Sequence, residues 1–392
     1  MNFVQSLAGK NCLVIGAGVT GMACQEALVN FGANSKLFDE KVKAGADIVN
    51  EIPDGMELAI ISPGWRDDHL VISKLRSDGV EILSEIDFAW QVKQVLAPSQ
   101  KWIALTGTNG KTTTIKMVES IFKAAKINGA ACGNVGETVI ASVCAKKPLD
   151  YLAIELSSFQ IHWSNLPQYE SVAVLNIAED HIDWHGSFEA YAQAKLKLLK
   201  HSNKVILNKS DSELSRRTSS DLITWFSLDT PNAGELGVVE NLLIDRAFSA
   251  SPSQANEIAE LVDITPTVPH NVLNALAAAA LALSIGIKYE DIKIGLKNFS
   301  PDHHRMELVL SKNEINWIDD SKATNPHAAA ASLLSNFKVI WIAGGLAKGA
   351  SMSDLVKRCA SRIKAVILIG EDRELIAKAI GDYSPKIEVV RV

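Results

Sequence analysis

Two stretches of this chain carry glycines and hydroxyls at spacings that suit phosphate. Thr106-Gly107-Thr108-Asn109-Gly110-Lys111-Thr112-Thr113 follows the apolar run Trp102–Thr106 and opens a helical stretch. A loop of this kind wraps a triphosphate in backbone N–H groups; its lysine reaches the outer phosphates and its hydroxyl binds Mg²⁺. The strict P-loop pattern requires glycine five residues before Gly110. Leu105 stands there and Gly107 replaces it, so the loop is a variant, with Lys111 and Thr112 as its working residues. The second stretch, Gly16-Ala17-Gly18-Val19-Thr20-Gly21, links the run Asn11–Gly16 to a helix expected over Thr20–Phe31. Its glycines allow a tight turn and a close approach to a pyrophosphate at the helix N-terminus. Asp39 ends the next strand, 18 residues past Gly21, where a ribose-binding acid would sit. Ser62-Pro63-Gly64, at the end of a later strand, could close the same pocket. Spacing alone leaves this turn open between a dinucleotide, another diphosphate nucleotide and a ligand-free turn.

Several acids and amides need a position before they have a role. Glu155 follows Tyr151–Ile154, a strand end beside the phosphate loop, where an Mg²⁺-binding carboxylate belongs. Glu179-Asp180-His181-Ile182-Asp183 follows another strand; it suits a second hard cation, or a polar loop with a helix cap. Lys195 shares a helix with Lys197 and Lys200 and reads as part of a solvated basic face. Asn271 and Asn274 are one helical turn apart and share a face. They suit an adenine edge, or an N-cap with a buried polar contact. Arg305, the string Asp319-Asp320-Ser321-Lys322-Ala323-Thr324-Asn325 and Gly344-Gly345-Leu346-Ala347-Lys348 sit on polar loops of the third segment, two of them directly after strands, where open α/β sheets bind ligands. Arg305, Lys322 and Lys348 together would make a cationic wall.

The elements that must hold these residues alternate between short apolar runs and helical stretches, the pattern of an α/β protein with parallel sheets. The 392 residues divide into a Rossmann-like N-terminal domain (1–97), a central P-loop ATPase-like domain with a mostly parallel sheet (98–301) and a Rossmann-like C-terminal domain (302–392). Each is expected to bury a core. The pattern loosens between Ser210 and Pro269, where only weak strands are expected, and Ile315–Ile318 reads as a strand of the third sheet. A net charge of −6 argues against a general nucleic-acid binder. The longest apolar run, Ala275–Leu283, is far short of the roughly 20 residues of a membrane span, and no signal peptide is visible. Five scattered cysteines suit a reducing cytoplasm.

The strings TGTNGKTT (106–113), ELSSFQ (155–160), Glu179-Asp180-His181, Ala194-Lys195, His270–Asn274 and DSKATN (320–325) together resemble the Mur ligases, and among them the members that add D-glutamate. The resemblance implies a cytoplasmic, monomeric enzyme of peptidoglycan precursor synthesis. It would join D-glutamate to UDP-N-acetylmuramoyl-L-alanine with ATP, through an acyl phosphate, on small-molecule substrates without nucleic acid or membrane. It implies UDP-substrate contacts at Gly18, Val19, Thr20, Asp39, Ser62, Asn134 and Ser158. ATP contacts fall at Gly107, Thr108, Asn109, Gly110, Lys111, Thr112, Thr113, Asn271, Asn274, Arg305, Asp320 and Lys322. Thr324 and Lys348 match D-glutamate residues. Lys111, Glu155, His181 and Lys195 match catalytic positions. Two Mg²⁺ ions would be held by Thr112, Glu155, His181 and Lys195, the last carbamylated by CO₂. Family members continue beyond this chain's last strand with a Ser-Pro-Ala-Cys-Ala-Ser-like loop and a closing helix, so an incomplete third domain with exposed apolar surface and a weakened grip on D-glutamate is expected. Two other readings stay open: a shortened nucleotide-binding chain with little ligase activity, and an NAD-dependent oxidoreductase, which leaves the phosphate loop and DSKATN unexplained.

Overall fold

The structure, a computed structural model, describes residues 1–42, 45, 47–220, 222–249, 251, 253–347 and 350–392. The first sheet holds five parallel strands in the order Ile48–Val49, Asn34–Phe38, Asn11–Ile15, Leu58–Ile61 and Glu81–Ser84. Its middle strands are apolar throughout because both faces are covered: Cys12 to Ile15 and Leu58 to Ile61 are buried. A chain that cannot alternate polar and apolar residues across a sheet must place helices on both sides. The helix Val19–Asn30 begins at Gly18, so the glycine-rich turn lies at the carboxyl edge of the central strand.

The central sheet has nine strands in the order Asn256–Glu260, Leu242–Asp245, Glu235–Val239, Ile223–Phe226, Val205–Asn208, Ser171–Val174, Lys101–Thr106, Tyr151–Glu155 and Gly129–Gly133. The last two pairings at the 256–260 edge are antiparallel and the rest parallel. The 210–269 stretch is thus more ordered than its sequence pattern suggests. Its four strands are only four or five residues long, and turns between them dilute the apolar signal. Lys111–Ala124, Pro269–Ser284 and Tyr289–Asn298 cover one face of this sheet. The alanines of Pro269–Ser284 let it sit close, and nearly all of that helix is buried.

The first and central sheets share a core across residue 97. Val14, Leu28, Phe88, Ala89 and Val92 pack in one cluster with Trp102, Val139, Ile140 and Leu152. The helix Glu85–Leu96 joins them through two buried carboxylates. Glu85 accepts the Ile140 N–H at 2.8 Å. Asp87 accepts from Ser164 Oγ, Asn165 N and Leu166 N.

The third segment has a separate core, drawn from residues between Ala330 and Ile380. Ile315–Asp319 does not join the parallel sheet. It pairs antiparallel with Glu307–Lys312, while Val339–Gly344, Ile363–Ile369 and Glu388–Arg391 form a three-stranded parallel sheet. The alternation of Ile340 and Ile342 with Trp341 and Ala343 leaves the former two exposed on one face. Trp317 is 52% and Phe337 82% exposed. Among the described residues, no helix is long and apolar enough to cross a membrane.

Candidate active site

The phosphate loop sits at the carboxyl end of Lys101–Thr106, an interior strand of the widest sheet, and feeds the helix Lys111–Ala124. Gly110 caps that helix at φ +83°, a conformation L side chains rarely adopt, and a Cβ there would overlap Asn274 Oδ1. The Lys111 ammonium curls onto its own loop, donating to the Gly107 carbonyl at 2.8 Å and the Thr108 carbonyl at 3.0 Å. Burial lowers its pKa, opposed by Glu155 and Asp180. Phosphate oxygens would replace those carbonyls as acceptors. Thr108 Oγ1 lies 2.8 Å from the Tyr191 hydroxyl.

Glu155 ends its strand fully buried. One oxygen accepts Asn134 Nδ2 at 2.9 Å, and the other has no hydrogen-bond partner among the described residues. Buried carboxylate oxygens are rarely left unsatisfied, so this atom suits a cation, and a hard one by its chemistry. His181, at φ +53°, packs its ring 4.8 Å from Phe159, with Nε2 3.7 Å from Asp180 Oδ2. Lys195 is 1% exposed, which corrects the solvated-face reading. Its Nζ donates to the Gly107 carbonyl at 2.9 Å and Thr106 Oγ1 at 3.3 Å, and lies 4.8 Å from the Tyr191 ring centroid. Burial first, and repulsion from Lys111 second, push its pKa well below that of a free lysine. Both effects act against the ammonium and toward the neutral amine. An ammonium would be a poor neighbour for a cation; a carbamate on that amine would be a good one. Of this group, the Glu155 oxygen that accepts no hydrogen bond among the described residues is the atom whose chemistry suits Mg²⁺.

A cavity of about 270 Å³ opens beside the loop. Asn109, Gly110, Thr113, Asn271, Asn274, Arg305, Asp320 and Lys322 all line it. Asn271 uses both amide hydrogens on the Thr265 and Pro266 carbonyls, at 3.1 and 3.0 Å. That satisfies the buried-contact reading and leaves its carbonyl oxygen available. Asp320 accepts the Met306 N–H at 3.1 Å, and burial raises its pKa. Arg305 Nε is buried without a hydrogen-bond partner among the described residues. Thr324 is exposed beside this group; Lys348 lies outside the described residues.

The residues matched to UDP form a second group at the first sheet. Gly16 adopts φ +102° against Ser62, and a Cβ on Gly21 would collide with the Gly16 carbonyl. Val19 and Thr20 open the helix there. Asp39 is committed to the turn: Oδ2 accepts Ala17 N at 2.8 Å, and Oδ1 accepts Lys41 N and Val42 N. Burial works to raise its pKa, but these N–H groups hold it below the ordinary value. Three accepted hydrogens leave about one lone-pair site for a ribose. The two groups are tied together. The loop after Ser62 receives the Trp163 indole on Trp65 O at 2.9 Å and the Trp184 indole on Gly64 O at 3.0 Å, and Arg66 donates to Asp183 O. Asn134 and Ser158 join the Glu155 side of this arrangement, Ser158 Oγ lying 2.9 Å from His185 Nε2. Burial lowers the His185 pKa to about 4, so the ring is neutral at pH 7.

Asn176, His185 and Tyr191 also belong here and were not singled out by sequence, and Asp180 belongs here as well. Asp180 was visible as the second acid of Glu179-Asp180-His181, and Tyr191 as the residue one turn before Lys195. Asn176 and His185 gave no signal beyond their place after a strand and in a polar stretch.

Residues 105–282 match the Mur ligase middle domain, and residues 304–391 the Mur ligase glutamate ligase domain. The chain is 43% identical to a UDP-N-acetylmuramoylalanine–D-glutamate ligase from Thermobifida fusca, over 98% of this chain and 88% of that protein. A protein of the same name from Streptomyces avermitilis is 40% identical over 97% of this chain and 86% of its own length. In fold, the chain resembles a pseudomurein peptide ligase type C from Methanothermus fervidus, with a TM-score of 0.60 at 20% identity over 98% of this chain and 89% of that one.

Proposed function

We propose, from the premise that this chain belongs to the Mur ligase family, that it joins D-glutamate to UDP-N-acetylmuramoyl-L-alanine. It is an ATP-dependent, amide-bond-forming ligase of peptidoglycan synthesis. The observation that carries the reading is the convergence of the phosphate loop with Arg305, Asp320 and Lys322 of the third segment around one cavity. A simple ATPase has no need of a second glycine-rich turn tied to that site, and a dehydrogenase has no need of the loop.

The alanyl carboxylate of the UDP-linked substrate attacks the γ-phosphorus of ATP, and ADP leaves. The amine of D-glutamate attacks the acyl-phosphate carbonyl and loses a proton, and inorganic phosphate departs. The protein contributes position and charge. Gly18, Val19, Thr20, Asp39 and Ser62 hold the UDP end, with Asn134 and Ser158 nearer the muramoyl end. The loop 107–113 takes the phosphates, Lys111 neutralising the outer ones. Asn271 and Asn274 face adenine, and Arg305, Asp320 and Lys322 cover the nucleotide from the third segment. Thr324 and Lys348 serve D-glutamate. Thr112, Glu155, His181 and a Lys195 carbamate would hold two Mg²⁺ ions, whose charge would offset the repulsion between carboxylate and triphosphate. The depressed pKa of Lys195 supports the carbamate, because CO₂ adds only to a neutral amine. We divide the chain into domains 1–97, 98–301 and 302–392, working as a cytoplasmic monomer.

The test is substrate-dependent ADP release, with mass spectrometry of the product. ADP release that requires UDP-N-acetylmuramoyl-L-alanine, with D-glutamate incorporated into the product, is expected. ADP release indifferent to the UDP-linked substrate would remove the assignment.

A further inference from the structure

Asn109 is gripped from two sides. On the central sheet, Asn176 Oδ1 accepts the Asn109 N–H at 2.8 Å and Asn176 Nδ2 donates to the Asn109 carbonyl at 3.0 Å. This two-point clamp fixes the loop backbone where the outer phosphates bind. On the third segment, Asn325 Nδ2 donates to Asn109 Oδ1 at 2.8 Å, and Asn109 Nδ2 lies 3.2 Å from His327 Nδ1. Asn325 also caps the helix Pro326–Leu334, accepting the Ala328 N–H at 2.9 Å. One side chain therefore starts a helix of the third segment and touches the phosphate loop 216 residues earlier.

The third segment has its own core, so its placement depends on contacts of this kind. A second tie, Lys116 to Asp302, is more than one-third exposed on both sides, and such pairs contribute little. An amide–amide bond contributes only modestly once the water bonds it replaces are counted. That is too weak to weld two bodies and strong enough to bias one orientation between them.

We propose that Asn176, Asn109 and Asn325 form a relay that registers the third segment against the phosphate loop, making Asn176 and Asn325 positioning residues for the ligase reaction. The inference rests on the ligase reading, since Arg305, Asp320 and Lys322 are the groups being placed. Any shift of the loop backbone moves the Asn109 amide, and with it the favoured position of Asn325. By reciprocity, ordering the third segment favours the loop conformation that receives phosphate.

The experiment is a double-mutant cycle on the full chain. Asn325→Ser keeps the helix cap, since serine caps about as well as asparagine, and removes the amide that reaches Asn109. Asn109→Ala removes the other half. Asn325→Ser should lower kcat roughly 10-fold while KM for the UDP-linked substrate stays within about twofold, because misplacement of charged groups acts on the transition state more than on a remote binding end. The double variant should be no slower than the slower single variant, the mark of a shared interaction. Hydrogen–deuterium exchange of the Pro326–Leu334 amides should accelerate in both single variants. Multiplying effects in the double variant, or unchanged kcat in Asn325→Ser, overturns the relay. If the wild-type chain forms no amide product, the ligase reading falls by itself and exchange decides the relay: unchanged protection of Pro326–Leu334 in both variants overturns it, and faster exchange in both upholds it.

Discussion

Lys195 owes its chemistry to the place its amine reaches. The side chain runs under the phosphate loop and over Tyr191, where desolvation and Lys111 together disfavour the ammonium. Lys195→Ala should therefore lose turnover, and added formate or chloride should restore part of it by supplying the missing anion; labelling with ¹³CO₂ should give a carbamate resonance in the wild type that the variant lacks. Full activity in Lys195→Ala would return the residue to a structural role. Lys111 is the other half of the same charge balance. Lys111→Ala should reduce kcat by on the order of 10²-fold or more, the usual loss for a preorganised charge, with circular dichroism unchanged. Lys111 was legible from its neighbours alone, because G-K-T-T after a strand admits few other uses. Lys195 was not, because a lysine on a helix with Lys197 and Lys200 carries no mark of burial. The family resemblance points to its role, and the fold, by turning that face of Phe188–Leu196 toward the loop, shows its burial.

The helix Glu85–Leu96 joins two sheets through a carboxylate with an unusual titration. Burial raises the Glu85 pKa to about 7, against the opposing pull of the Ile140 and Val139 N–H groups. A folded value above the unfolded one means that the fold prefers the proton. The contribution is fully present below about 4.5 and is lost as pH rises through about 7. Glu85→Gln, which keeps an acceptor for Ile140 and cannot ionise, should gain Tm relative to wild type between pH 5 and pH 8; a difference independent of pH would contradict the assignment. At the first glycine-rich turn, Gly21→Ala forces a methyl against the Gly16 carbonyl. It should destabilise the protein by about 1–3 kcal/mol and raise KM for the UDP-linked substrate more than KM for ATP. Elements of this kind were readable where pattern and loop agree, as at Asn11–Ile15 and Lys101–Thr106. Gly129–Gly133 escaped notice because glycine and alanine have little strand preference; pairing with Tyr151–Glu155 makes it a strand. Glu307–Lys312 is hard to see for a different reason: its partner Ile315–Asp319 follows after a two-residue turn, and this antiparallel hairpin stands outside the alternation of strands and helices that marks the parallel sheets.

The molecule divides unevenly. Its first and central sheets share apolar contacts around Phe88, Val92, Trp102 and Ile140, whereas the third segment meets them largely through polar side chains near the phosphate loop. A fragment of residues 1–97 would expose Phe88, Ala89 and Val92 and leave Glu85 and Asp87 without their partners. It should fail to give a cooperative melt, while a fragment of residues 1–301 should give one. Cooperative unfolding of 1–97 alone would show that the shared core is dispensable. The same rigidity governs how an inhibitor could be built. The loop after Ser62, bonded to Trp163 and Trp184, keeps the two glycine-rich turns at a constant separation. A two-headed compound joining a uridine diphosphate mimic to a phosphate-loop ligand would meet two turns already in register, so its second head would act at a high effective concentration set by tether length. Tether length should show a sharp optimum, whereas a compound reaching into the third segment would depend on the polar ties that place that segment.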